Sequence, residues 1–293
     1  MQKRTAPQNV FNVCNIAIMV LLMIVTLYPF YYVIVASFTS SAVLEVHTGM
    51  LWWPVNFTCK AFEVAFSHPL LLSGFKNILI IMVVSVPLSL VMTILCAYFM
   101  VSKGMLFKKP LMYLMLFTMF FGGGLVPSYL NIQMLGMRDT IWAMILPGAI
   151  SAYNVVVFRT FFKGIPDSLA ESATIDGAGH FRVLFSIILP LSKALLATFT
   201  LFSVVGYWND YMSALLYLDS ESKFPIQLFL RKILNSMRMD DIADYSLLTQ
   251  LQRVNTSTVQ NAAIIITIVP ILCVYPFLQK HFAKGVLIGS VKG

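Results

Sequence analysis

Six apolar runs, each long enough to cross a hydrocarbon layer, limit this chain more than any other feature; they cover about 11–36, 74–101, 111–129, 140–162, 191–218 and 258–278. The first, at about 1.5 Å per residue, reaches about 39 Å and exceeds a core of about 30 Å. Amides in hydrocarbon must bond within their own segment, so runs of this kind are helices. The expectation is an all-α, polytopic membrane protein, one domain over residues 1–293 with six transmembrane helices. The first run is longer than a signal-peptide core and no A-x-A site follows it, so it reads as an uncleaved span.

Composition excludes a water-soluble globule, with 59% hydrophobic and 11% charged residues and a mean hydropathy of +0.83. The net charge of +8 would suit nucleic acid, but its distribution explains it differently. The side holding the N-terminus, the 102–110 and 159–193 loops and the tail has twelve basic and three acidic residues, against eight and nine on the other. Basic loops stay inside, which makes that side cytoplasmic, with both termini there, and leaves nothing for nucleic acid to explain.

The most specific polar stretch is the loop 163–193, KGIPDSLAESATIDGAGHFRVLFSIILPLSK. Ser168 and Glu171 have capping-box spacing, so a short helix is expected to begin near Ser168. Ala170, Ser172 and Ala173 are small enough for another backbone to approach, and Gly177 offers a left-handed end to that helix. A second helix is expected to bury Phe181, Leu184, Phe185 and Ile188 on one face, with Pro190 limiting it.

Glu171-Ser172-Ala173, then Gly177, then Ile187-x-Leu189-Pro190 resembles the EAA signature of ABC importer permeases, with Ser172 in place of the second alanine. The resemblance implies a type I importer permease fold whose loop docks on an ATP-hydrolysing subunit, through Glu171, Ser172, Ala173, Gly177, Ile187, Leu189 and Pro190. It implies a bacterial cytoplasmic membrane, a second homologous permease, two ATPase subunits and an extracytoplasmic sugar-binding protein, with lipid around the spans. Structurally, the same loop could be an amphipathic helix pair with Glu171 as a cap.

Residues 121–129 (FGGGLVPSY), Tyr207-Trp208-Asn209-Asp210 and the end of the tail are similar to the carbohydrate-uptake branch that contains maltose-importer permeases. The glycine run looks like the subgroup associated with oligosaccharides from plant or algal polysaccharides. In that branch the tail enters the ATPase dimer, which would involve Lys284, Gly289, Lys292 and Gly293; a basic tail lying on anionic lipid is the alternative.

Tyr207, Trp208, Asn209, Asp210 and Tyr211 are the candidates for a translocation path. A carboxylate deep in a membrane helix is costly, so Asp210 should face protein, water or the interface. Aromatic faces beside hydrogen-bonding groups suit a sugar; an aromatic belt with Asp210 turned to water accounts for the residues equally. Three glycines at 122–124 invite a break in the third span. The segment 224–230 could lie amphipathically on the surface or meet a partner.

Cys14, Cys59, Cys96 and Cys273 have neither pairing nor ligand spacing, and the four histidines do not cluster, so no metal is expected. No phosphate-binding Gly-Lys-Ser/Thr loop occurs, which excludes ATP hydrolysis by this chain in that manner. It is expected to be no enzyme and to bind no cofactor, with ATP and Mg on the partner ATPase. An ion- or proton-coupled carrier using Asp210, an importer permease for a non-sugar solute, and a membrane scaffold are the competing readings.

Overall fold

A computed structural model describes residues 6–235 and 256–289. The chain divides into two compact units, residues 1–69 with 232–269, and residues 70–231 with 270–293. Every regular element among the described residues is helical.

The first unit opens with α1, Ala6–Ser37. Its stretch Val10–Ser37 is apolar enough to cross a membrane, and its most apolar window buries no residue in this chain. Such a helix needs lipid or another subunit around it. The aromatic segment after it is folded. Phe38 stacks on Phe57 and Phe62 with centroids 5.3 and 4.8 Å away, Leu51 is buried, and the Tyr31 hydroxyl donates to the carbonyl of Trp52. Short helices α2 (Ser41–Val46) and α3 (Lys60–Ser67) flank it.

The second unit is organised by α4, Pro69–Val101. Leu71, Gly74, Ile78, Ile81, Ser85, Ser89, Thr93, Ala97 and Met100 are its buried stripe, spaced by three and four as one helix face requires. Small residues on that stripe allow close approach. At Gly74 a Cβ would lie 3.1 Å from the backbone of Ile226.

The expected third span is broken. Helices α5 (Lys108–Phe120) and α6 (Leu125–Met134) meet at 117°, and Gly124 at the joint has φ +84. That backbone suits glycine, so the run acts as the anticipated break. The expected fourth span is not one helix but two, α7 (Trp142–Ile145) and α8 (Ala152–Lys163). Pro147 between them lacks an N–H, and the Ser151 side chain accepts from the amide of Asn154 to start α8.

After α8 come α9 (Asp167–Ile175) and α10 (His180–Leu191). A bend of 80° leads into α11, Lys193–Asn209. The fifth expected span therefore ends at Asn209, and the chain restarts as α12, Met212–Tyr217. Next is α13, Ile226–Asn235. Its Ile226, Leu228 and Phe229 are buried, so the segment packs inside the chain rather than lying on the surface. The last helix, α14 (Thr256–Gly289), runs through the expected sixth span and on through Lys284 and Gly289. Lys292 and Gly293 lie outside the described residues, as does much of the loop before α14.

Among the described residues three helices are long and apolar enough to span a membrane, or up to five if each bent pair counts once. Two of the clusters within the second unit bear on the site. One joins Ala97 and Met100 to Val155, Phe158, Phe162, Val183, Leu184, Ile188 and Phe199; the other joins Ile81 to Met144, Ile145, Ala214, Leu218, Phe224 and Leu228.

Candidate functional site

The cluster around Phe158 is the platform on which the signature loop stands. Phe158 meets Phe199 edge-on at 5.0 Å and Phe162 at 5.9 Å. Ala170, Ala173 and Ala178 rest against this cluster while no residue of α9 is buried. The helix is thus held from below by alanines and presents its remaining side chains outward. Ile175 is 87% exposed and Leu169 is 41% exposed, apolar surface that a soluble loop has no reason to offer.

The start of α9 differs from the capping-box expectation. Pro166 stands at the cap, no side chain caps the helix, and Asp167 supplies the acid in its first turn. Ser168 lies two residues past the cap, and Glu171 is engaged elsewhere. Its Oε1 takes a hydrogen bond from Lys103 Nζ at 2.6 Å, while Asp167 Oδ2 lies 3.0 Å from the same ammonium. These two contacts, Glu171 foremost, push the Lys103 pKa above its ordinary value.

At the other end the glycine expectation holds. Gly177 has φ +83; its amide donates to Thr174 O at 3.0 Å, and the amide of Ala178 donates to Ala173 O at 2.9 Å. This pair of bonds is a Schellman motif, which requires a left-handed residue at the Gly177 position. A Cβ there would meet nothing within 4 Å, so the requirement is one of backbone alone.

In α10 the expected buried face is only half right. Leu184 and Ile188 are buried, Val183 joins them, and Phe181 and Phe185 are 70% and 61% exposed. A π-helical turn covers Leu184–Ile188, wider than the 3.6-residue turn behind the expectation; it takes in Phe185, while Phe181 precedes it. Ile187 and Leu189 pack against the core cluster, and Pro190 lies in the first positions of the turn after the π segment. Phe181 and Phe185 add to the apolar surface.

A cavity of about 980 Å³ lies between the end of α4, the end of α8, α9 and α10, with Glu171, Thr174 and Ile175 of α9 at its mouth. The hydroxyl of Tyr98 donates to the carbonyl of His180 across its edge at 3.0 Å.

The five path candidates do not form one surface. Trp208 is buried, 4% exposed, with its ring 6.2 Å from Phe75, so its face is not offered to a solute in this state. Its indole N–H has no hydrogen-bond acceptor among the described residues. Tyr207 is half-buried and donates to the carbonyl of Gly148 at 3.3 Å. Asn209 is exposed, though its amide donates back to Val205 O at 2.9 Å. Asp210 breaks the helix and its Oδ1 accepts the amide of Ser213 at 3.0 Å, which starts α12. Tyr211 lies under the guanidinium of Arg231 at 4.3 Å, a cation–π arrangement.

Sequence reasoning missed the polar cluster at Asp139. This residue has φ +53 and accepts from the amides of Asp219 and Ser220 at 3.0 and 2.9 Å, from the Ser220 hydroxyl, and from Lys223 Nζ at 2.8 Å. Lys223 first, then Ser220, hold its carboxyl well below the ordinary range. Beside it, Arg138 forks onto Asp219 with both contacts at 3.0 Å. An Asp in a short loop could have suggested a turn, but nothing local pointed to partners some eighty residues away.

Residues 60–288 match the family described as the inner membrane component of binding-protein-dependent transport systems. The chain is 40% identical to protein LplC of Bacillus subtilis, over 99% of this chain and 97% of that protein. It is 38% identical to the polygalacturonan/rhamnogalacturonan transport system permease protein YtcP of the same organism, over 97% of this chain and 99% of that one. The fold is similar to a chain in the crystal structure of a bacterial ABC transporter involved in the import of the acidic polysaccharide alginate. That match has a TM-score of 0.88 and 28% identity, and covers 96% of this chain and 100% of the other.

Proposed function

The chain belongs to the family of binding-protein-dependent transport system inner membrane components, and we propose that it forms part of the translocation path of an ABC importer for oligosaccharide fragments of acidic plant or algal polysaccharides. The substrate class follows the roles of a 38% identical relative and of the alginate importer whose fold it shares. The chain performs no covalent chemistry. ATP and Mg are bound and used by two ATPase subunits, and a second homologous permease completes the path. An extracytoplasmic binding protein delivers the sugar. The basic loops and both termini face the cytoplasm, as their charge asks.

The observation that carries this reading is the presentation of α9. A helix of nine residues with no buried side chain is fixed at its end by the Gly177 turn and from below by alanines, and offers Glu171, Ser172, Leu169 and Ile175 together. A segment built in this way can transmit a push from a docked protein into the Phe158 cluster, and from there into α4, α8 and α11. Ligand-driven motion needs a difference in affinity between two states, which the ATPase would supply by closing on ATP.

Proteoliposomes holding the complete complex test this reading. Galacturonan oligosaccharides delivered by the binding protein should accumulate inside only with ATP, and should stimulate its hydrolysis. Uptake that persists without ATP and collapses with the ion gradient would favour an ion-coupled carrier. Asp210, whose Oδ1 accepts the amide of Ser213, would be the site of such a carrier.

A further inference from the structure

We infer that the cavity behind α9 is a binding site for the phosphate headgroup of an anionic phospholipid, with Arg159 and Lys163 as the residues that read the charge. The cavity, about 980 Å³, is bounded on one side by the ends of two helices, α4 at Met100 and Val101 with Lys103 just beyond it, and α8 at Arg159 and Lys163. Its charged lining is Lys103, Arg159 and Lys163 against Asp167 and Glu171. Both carboxylates are taken up by Lys103. Neither Arg159 nor Lys163 has an ion-pair partner among the described residues, and they lie four apart on one face of the last turns of α8.

The rest of the lining decides which kind of anion fits. Met100, Phe162, Val183 and Ile188 also line the cavity, so it joins a cationic edge to an apolar wall. A free inorganic anion gains nothing from that wall, while a lipid can place its phosphate on the guanidinium and its glycerol and first methylenes on the side chains. Basic pockets between membrane helices on the cytoplasmic side hold anionic headgroups for this reason. Arginine suits phosphate, because its planar fork donates two parallel hydrogen bonds. The proposed orientation supplies only the leaflet. Lipid retention is measured without transport, so either claim can fail alone.

The test uses the assembled complex in nanodiscs of phosphatidylcholine with a minor share of phosphatidylglycerol, followed by native mass spectrometry of the lipids that remain bound. The wild-type complex should retain phosphatidylglycerol selectively. The double variant Arg159→Gln with Lys163→Gln should lose about 25-fold of that selectivity, about fivefold for each charge. Arg159→Lys should keep most of it, which separates loss of charge from misfolding. Lys109→Gln with Lys193→Gln, exposed cations outside the cavity, should keep it too. Equal retention in every variant would overturn the site, and equal loss in the 109/193 pair would reduce it to a diffuse basic surface. Displacement of the lipid by glycerol 3-phosphate alone would assign the cavity to a soluble anion. Retention only after the ATPase is stripped would assign it to the ATPase, and either result contradicts the proposal.

Discussion

The ammonium of Lys103 lies 2.6 Å from Glu171 Oε1 and 3.0 Å from Asp167 Oδ2, tying the loop after α4 to two carboxylates one turn apart on α9. Like charges four residues apart repel on a helix, and the lysine removes that repulsion before any partner arrives. The side chains are 69%, 58% and 72% exposed, so water and salt weaken the pairing. Glu171 is therefore held loosely enough for another cation to take it.

Lys103→Gln should consequently weaken ATPase association less than Glu171→Gln does, and the difference between wild type and Lys103→Gln should fade as ionic strength rises. Pull-down of the ATPase across a salt series reads both. Because the Lys103 pKa is raised, its contribution is full below the ordinary lysine value and is lost only as pH climbs through the raised one. Between pH 6 and 9 the Lys103→Gln effect should be flat.

Asp139 leads to a second prediction, with the opposite sign in pH. Its folded pKa is depressed, so its stabilising contribution is present above the ordinary carboxylate range and is lost as pH falls through the depressed value. An acidic exterior near pH 5 should leave the cluster intact. Asp139→Asn tolerates φ +53 but loses the charge that Lys223 and the Ser220 hydroxyl address. Asp139→Ala loses the acceptor and the tolerance together. Thermal unfolding of the purified complex should rank wild type above Asn, and Asn above Ala.

The contact of Tyr207 with Gly148 gives a third. A Cβ at residue 148 would sit 2.6 Å from the tyrosine hydroxyl, so Gly148→Ala forces the ring to move, at about 1–3 kcal/mol by the usual cost of overpacking. Tyr207→Phe removes the clashing atom. A double-mutant cycle on stability should show the pair less damaging than the sum of the singles, and additive losses would place the strain elsewhere.

Much of this was legible in the chain itself. The apolar runs marked α1, α4, α11 and the start of α14, the glycines marked the break between α5 and α6, and Gly177 marked the end of α9. Pattern reading failed where distant parts meet. Pro147 interrupts the fourth run and Gly148 leaves room for Tyr207, and a π turn over Leu184–Ile188 takes in Phe185, where 3.6-residue periodicity no longer applies. Trp208 read as a path residue because tryptophan beside Asn and Asp suggests sugar binding; its burial depends on Phe75, far away in sequence. The Asp139 cluster rests on similar long-range pairing.

Gly177 isolates the backbone's part in coupling. Nothing crowds a Cβ there, so Gly177→Ala costs only the left-handed strain, about 1–2 kcal/mol, and Gly177→Val costs more. Gly177→Asn should be mildest, since asparagine tolerates that region. The measured loss of substrate-stimulated ATP hydrolysis should follow the order Asn, Ala, Val, while pairing with the second permease stays normal.

The central claim is that α9 docks on the ATPase, and a photo-crosslinking amino acid at Ile175, the most exposed apolar side chain of that helix, tests it most directly. Irradiation of the assembled complex should join this chain to the ATPase in high yield, with the same probe at Val91 on α4 giving none. An assembled complex in which residue 175 labels only the extracytoplasmic binding protein, or leaves the bound ATPase wholly unlabelled, would contradict it.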